Sequence, residues 1–210
     1  MSADNPIQST EPARDRARKL RAVLAAGVVL GLGATLTLAA WNDSEYARGT
    51  FSAGAFNLEG STDGTSFSDH ATAGAAATLG FTVNPANLAP GDVVYAPFAV
   101  RLAANTSTDA SVTVAAVTNT GTVTNVTYAL VRTTSMTCNA AAVTGGTVVI
   151  PAGTALSAIG SPTGWTLTKG SPVTNAGSTV FLCFAVTAGA GLVQSQTGSA
   201  TWQITATSTS

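Results

Sequence analysis

From Ala76 to the end of the chain, apolar and polar residues alternate with a period of two, and turn signals interrupt them at short intervals. Ala76–Val83 runs into Asn84-Pro85, and Val93–Leu102 follows the turn Pro90-Gly91-Asp92 with Ala96, Phe98, Val100 and Leu102 on one face. Ser111–Val117 aligns Val112, Val114 and Ala116; Val123–Thr133 aligns Val126, Tyr128 and Leu130; Thr147–Ile150 stops at Pro151. Thr179–Thr187 is apolar on both faces, the pattern of a central strand. The last predicted strand, Ser199–Thr207, sets Trp202, Ile204 and Ala206 against Thr201, Gln203 and Thr205. Gly60–Gly74 and Gly160–Gly177 read as loops, the second holding Trp165 and Leu167, enough for a short strand. No long helical period competes after residue 41. The pattern therefore predicts an all-β antiparallel sandwich of two sheets over residues 41–210.

The N-terminal end differs. Residues 1–21 are polar and become basic, with Arg14, Arg16, Arg18, Lys19 and Arg21, whereas residues 22–40 (AVLAAGVVLGLGATLTLAA) carry no charge. A basic stretch followed by an apolar one inserts into a membrane with its start held on the cytoplasmic side. Residues 1–40 therefore read as a signal peptide, helical where it inserts, with a basic region 1–21 and an apolar region 22–40. Small residues close the run, and the predicted cut falls between Ala40 and Trp41. A second reading keeps the segment as an anchor, because 19 apolar residues can span a bilayer. No Arg-Arg pair marks a twin-arginine signal. On the first reading, membrane contact is transient and the product is secreted or held at the cell surface.

Charge sharpens this picture. Charged residues make up 9 % of the chain, against about 25 % in an average soluble protein. From residue 41 onward Arg48, Arg101, Arg132 and Lys169 face seven acidic residues, a net charge of −3. No basic stripe could track a phosphate backbone, so nucleic acid is not an expected partner. Thr, Val, Ala, Ser and Gly fill the space, and the first two favour strands through their branched Cβ. Cys138 and Cys183 both lie in the exported part, where an even pair reads as one disulfide; two buried free thiols are the alternative.

The junction after the leader carries the most specific motif. Leu38-Ala39-Ala40-Trp41-Asn42-Asp43 precedes Gly49-Thr50-Phe51-Ser52-Ala53-Gly54-Ala55-Phe56-Asn57-Leu58, and further on come Asn87-Leu88-Ala89-Pro90-Gly91-Asp92 and the strand from Tyr95 to Leu102 leading to Asn105. Together these resemble the TasA/camelysin family of exported bacterial proteins over about residues 20–60 and 80–120, with a similar closing strand at Ser199–Thr207. The long basic leader is closer to actinobacterial members than to the short bacillus leaders. The resemblance implies a jelly-roll β-sandwich, a SipW-type signal peptidase as processing partner, and assembly into extracellular fibres of a biofilm matrix. It also implies that the freed N-terminal segment of one subunit adds as a strand to the next. Phe51, Ala53, Ala55, Phe56 and Leu58 would be its apolar residues, and its backbone would supply the ladder bonds. Against this stands a simpler expectation, that Trp41–Leu58 is the first strand of its own sandwich.

Catalytic chemistry finds little support. Camelysin-type relatives are described as metallopeptidases, and a catalytic zinc needs about three protein ligands. The chain has one histidine, His70, no His-Glu-x-x-His and no Gly-x-Ser-x-Gly elbow. Asp63 and Asp69 near it offer at most an opportunistic metal site, and Asp92 and Asp109 read as turn residues. No cofactor motif is present, and the expectation is a non-enzyme. An adhesion or binding module that presents Trp165 or Tyr95 to a carbohydrate is the second functional expectation.

Overall fold

The computed structural model describes residues 12–36, 43–82 and 85–209. The chain divides after Phe51 into two compact units. In the first, α1 (Pro12–Leu36) carries the basic residues toward its start and none after Arg21. Its apolar residues Leu20, Val23, Leu24, Val28, Val29 and Leu30 are exposed. Among the described residues, no helix is long and apolar enough to cross a membrane. The predicted cut between Ala40 and Trp41 falls outside the described residues.

In the second unit, 52–210, the described residues form eight strands in two antiparallel sheets. The strands are β1 (Leu58–Ser61), β2 (Val93–Leu102), β3 (Asp109–Gly121), β4 (Val126–Thr133), β5 (Thr147–Ala155), β6 (Trp165–Leu167), β7 (Val180–Ala188) and β8 (Gly198–Thr209). One sheet has five strands in the order β1-β2-β7-β4-β5, the other three in the order β6-β3-β8. A short helix, α2 (Ala140–Gly145), is capped by the Asn139 side chain, which accepts from the Ala142 N–H.

Alternation explains the packing. Val94, Ala96, Val100 and Leu102 of β2, Val126, Tyr128 and Leu130 of β4, and Leu182, Phe184 and Val186 of β7 are all buried. They meet Ala110, Val112 and Val114 of β3 and Trp165 and Leu167 of β6 in one core. Strand β7 is central, paired to β2 on one side and β4 on the other, and Cys183 and Ala185 on its second face are buried as well. That second face is covered by the 134–146 connection, which the Cys138–Cys183 disulfide ties to β7.

Pro97 sits inside β2 without costing a ladder bond. Tyr95 directs both its N–H and its C=O to Thr82, away from β7. Pro97, two residues on, points the same way, and β1 does not begin pairing until Ala99. The proline therefore lies on an open edge.

Two expectations change. Residues 76–82 of the expected strand Ala76–Val83 form no strand, and Val83 lies outside the described residues; Ala73–Ala75 is a single 3-10 turn and the chain to Phe81 is irregular. Its leucine and phenylalanine still pack on the core, which gave the sequence its strand-like pattern. Nor do residues 43–57 form the first strand of the sandwich: β1 starts at Leu58, residues 43–54 are exposed and belong to no strand, and Trp41 and Asn42 lie outside the described residues.

Candidate functional site

Of the four outer edges of the two sheets, three are short or broken. Strand β1 has four residues and β6 three, and β5 is bulged against β4 and carries Pro151 and a left-handed Gly153. Strand β8 is different. It runs for 12 residues, bonds to β3 along one side, and has no strand partner on the other among the described residues. It carries no charge and no proline, and no Asp, Glu, Lys or Arg follows Lys169 in the chain. Natural edges are usually blunted by such residues. This one is not.

Beside that edge lies an open groove of about 1660 Å³. Strand β2 contributes Val94, Phe98 and Val100, β7 contributes Phe184 and Val186, and β8 contributes Trp202, Ile204 and Ala206. The Trp202 ring packs on Phe184 at 4.7 Å and on Tyr128 at 5.4 Å between centroids, so its position is fixed by the core below. Further lining comes from Leu79, Phe81 and Leu88, from Phe56 and Leu58, and from the 192–197 loop. Small-ligand pockets hold about 300–1,000 Å³. The groove exceeds that and suits a run of side chains instead.

The expected donor residues divide into two groups. Ala55 makes a parallel bridge to Thr106, its C=O accepts from the Ser107 N–H at 2.9 Å, and Asn57 C=O accepts from the Ala103 N–H at 3.0 Å. Phe56 and Leu58 line the groove. Phe51 and Ala53 pair with nothing, and the Phe51 ring is 94 % exposed, like Tyr46 at 93 %. The register thus takes hold only from Ala55 onward.

The other sequence candidates lie apart from one another. Cys138 and Cys183 are bonded, with their Cα atoms 5.2 Å apart. Asp63 accepts from the N–H groups of Thr65 and Ser66 and from the Ser61 hydroxyl, closing a tight turn after β1. Those bonds, the Ser66 backbone N–H foremost, hold its carboxyl far below the usual carboxylate range. Arg101 pairs with Glu59 across β1 and β2 and stacks over Phe67 at 3.8 Å, pinning the same loop. His70 borders the groove; its Nε2 lies 3.2 Å from the Ser68 hydroxyl, and its buried Nδ1 has no hydrogen-bond partner among the described residues. Among the described residues no three His, Cys, Asp or Glu gather as a metal site. Trp165, expected at the surface in the binding-module reading, is only 4 % exposed. It fills the core at the β6 end, where Val112 of β3 is its register partner. Tyr128 donates to Ala158 C=O at 2.8 Å, and burial raises its phenol above the ordinary value.

The sandwich and its edge define the class: an all-β, disulfide-bonded domain with one long unprotected strand beside a groove of mixed polar and apolar lining. No family model matches the chain, and no curated protein matches it.

Proposed function

We propose that the chain is an exported structural protein of the cell surface or extracellular matrix, a fibre subunit in which the N-terminal segment of one copy adds to the β8 edge of the next. The open β8 edge carries this reading. A three-stranded sheet facing a five-stranded one leaves Phe98 of β2 and Trp202, Ile204 and Ala206 of β8 only half-buried along the groove. A fourth strand at β8 would cover them and give the four strands that a jelly-roll sheet has. The segment 43–54 has the length for it: 12 residues, matching β8, each spanning about 40 Å when extended. Its Phe51 and Ala53 would enter the groove while its backbone bonds to β8, and Ala55, held by Thr106 and Ser107, would stay with its own subunit. In this reading the leader 1–40 is a signal peptide removed between Ala40 and Trp41 by a SipW-type peptidase, and 41–210 is the single exported domain. The Cys138–Cys183 disulfide fits an oxidising, extracellular setting.

The test is to express the chain with its own leader, recover it outside the cell, and examine it by negative-stain microscopy. Fibres are expected from the wild-type chain. Phe51→Asp with Ala53→Asp should abolish them and leave the melting temperature unchanged, since both residues are exposed and unpaired. Fibres from the double variant, or a strict monomer from the wild type, would overturn the reading.

A further inference from the structure

Beyond residue 41 the chain has four basic residues, Arg48, Arg101, Arg132 and Lys169. Three are held in the fold. Arg101 lies in β2, paired with β1, and its guanidinium meets Glu59 and the Phe67 ring. Arg132 lies in β4, between β5 and β7. Lys169 donates its backbone N–H to the Asp109 carboxylate at 2.9 Å and precedes a buried Gly170. Arg48 differs. It is exposed, belongs to no helix or strand, and its backbone makes no hydrogen bond among the described residues. The residues on either side, 43–47 and 49–54, are exposed in the same way, and Gly49 places no side chain over the peptide bond that follows Arg48.

We propose that the Arg48–Gly49 bond is a processing site for an arginine-specific serine protease, and that the cut silences the donor while leaving the acceptor intact. The position of the cut rests on the exposure and bonding of Arg48; its consequence rests on the strand-addition reading. A protease draws its substrate into the cleft as an unpaired strand, so nicking concentrates where the backbone is exposed and free of its own hydrogen bonds. A carboxylate in the specificity pocket pairs with the guanidinium. As the C–N bond breaks, water supplies a hydroxyl to the Arg48 carbonyl carbon and a proton to the Gly49 nitrogen. The other three basic residues become cleavable only after local opening, which lowers their rate by the fraction open. The product, 49–210, keeps all eight strands, the disulfide and the β8 edge. Its donor keeps only 49–54, six of the twelve residues, and with them half of the ladder. A cut subunit therefore accepts a strand and presents a poor one, so it ends a fibre. Pairing with β8 of the next copy would cover Arg48, which confines the cut to unassembled subunits.

The probe is trypsin at a low ratio, applied to the chain exported with its own leader and recovered outside the cell. Within residues 43–209 the first cut should fall after Arg48, leaving a 49–210 fragment, identified by mass, that melts at the same temperature as the uncut chain. Arg48→Gln should abolish that cut and Arg48→Lys should keep it. A first cut after Arg101, Arg132 or Lys169, or an unchanged cut in Arg48→Gln, would overturn the site. A fragment that melts well below the uncut chain would overturn the claim that the acceptor survives. Fragment and uncut chain are then compared by light scattering and negative-stain microscopy. The fragment should form no fibres alone and, as a minor fraction added to uncut chain, should shorten the fibres. Formed fibres should be cut at Arg48 several-fold more slowly than free subunits. Fibres from the fragment equal in number and length to those of the uncut chain would overturn the switch and leave strand addition standing. Absence of fibres from the uncut chain would overturn strand addition and the switch with it, while the digest alone decides where the cut falls.

Discussion

Reducing the Cys138–Cys183 bond isolates one contribution to stability, because both thiols stay in place and no atom leaves the core. The bond closes a loop of 45 residues that contains α2, β5 and β6. On the chain-entropy model that closure is worth about 4 kcal/mol at 25 °C, with 2–4 kcal/mol expected once residual structure in the unfolded chain is counted. For a domain of this size each kcal/mol shifts melting by about 2–4 °C. Full reduction should therefore lower the midpoint by about 5–15 °C. The loss should also be local at first. Cys183 is fully buried on the second face of β7, and α2 packs mainly on β4 and β7, so the 134–146 connection loses its main tether while the two sheets keep their pairing. The assay is thermal unfolding followed by circular dichroism, with two free thiols verified by mass after alkylation. Amide exchange should show 134–146 losing protection before β2 and β7. A midpoint unchanged within 2 °C would refute the reasoning. Loss of exchange protection spread evenly over both sheets would refute the claim that the tether acts locally.

Three other substitutions probe separate parts of the fold. Tyr128→Phe deletes the hydroxyl that donates to Ala158 C=O and should cost about 1–2 kcal/mol by urea denaturation, because the carbonyl loses its partner in a half-buried site. Gly121→Ala forces a side chain onto a backbone with φ of 92° and against the Thr197 carbonyl at the β3–β8 end; a loss of 1 kcal/mol or more, about the known scale for such sites, is expected. Asp63 contributes stability that is complete above the unfolded carboxylate value, near pH 4, and drains away as pH falls toward its depressed folded value. Asp63→Asn should therefore flatten the fall in melting temperature between pH 4 and pH 2, and an unchanged slope would remove Asp63 as a cause.

Local patterns carried much of the architecture. Val93–Leu102 is β2 to the residue, and the two-faced apolar run at 179–187 is the central strand, because burial on both faces leaves a mark that needs no knowledge of partners. Trp165 and Leu167 were enough to reveal a three-residue strand inside a polar loop. The same local logic failed where side-chain burial and backbone pairing come apart. Leu79 and Phe81 alternate like a strand and are half-buried like one, yet the backbone between them bonds to neither sheet. In the 43–54 segment the alternation is confined to residues 50–54, and nothing is buried at all. Alternation reports which side chains could be covered. It does not report whether a neighbouring strand exists within the same chain.

That gap is where the site was hidden. Trp202, Ile204 and Ala206 were legible as one face of a closing strand, but which edge of the strand is covered depends on pairings more than 80 residues away, with β3. One signal was present in the sequence: after Lys169 the chain has no charge with which to blunt an edge. A long edge strand without charge or proline, left open in a monomer, is an aggregation hazard. Such an edge is tolerable if a specific strand fills it, or if something shields it until that strand arrives. Here one chain holds an open edge and, in residues 43–54, an exposed segment of equal length, the two features from which assembly by strand addition is proposed.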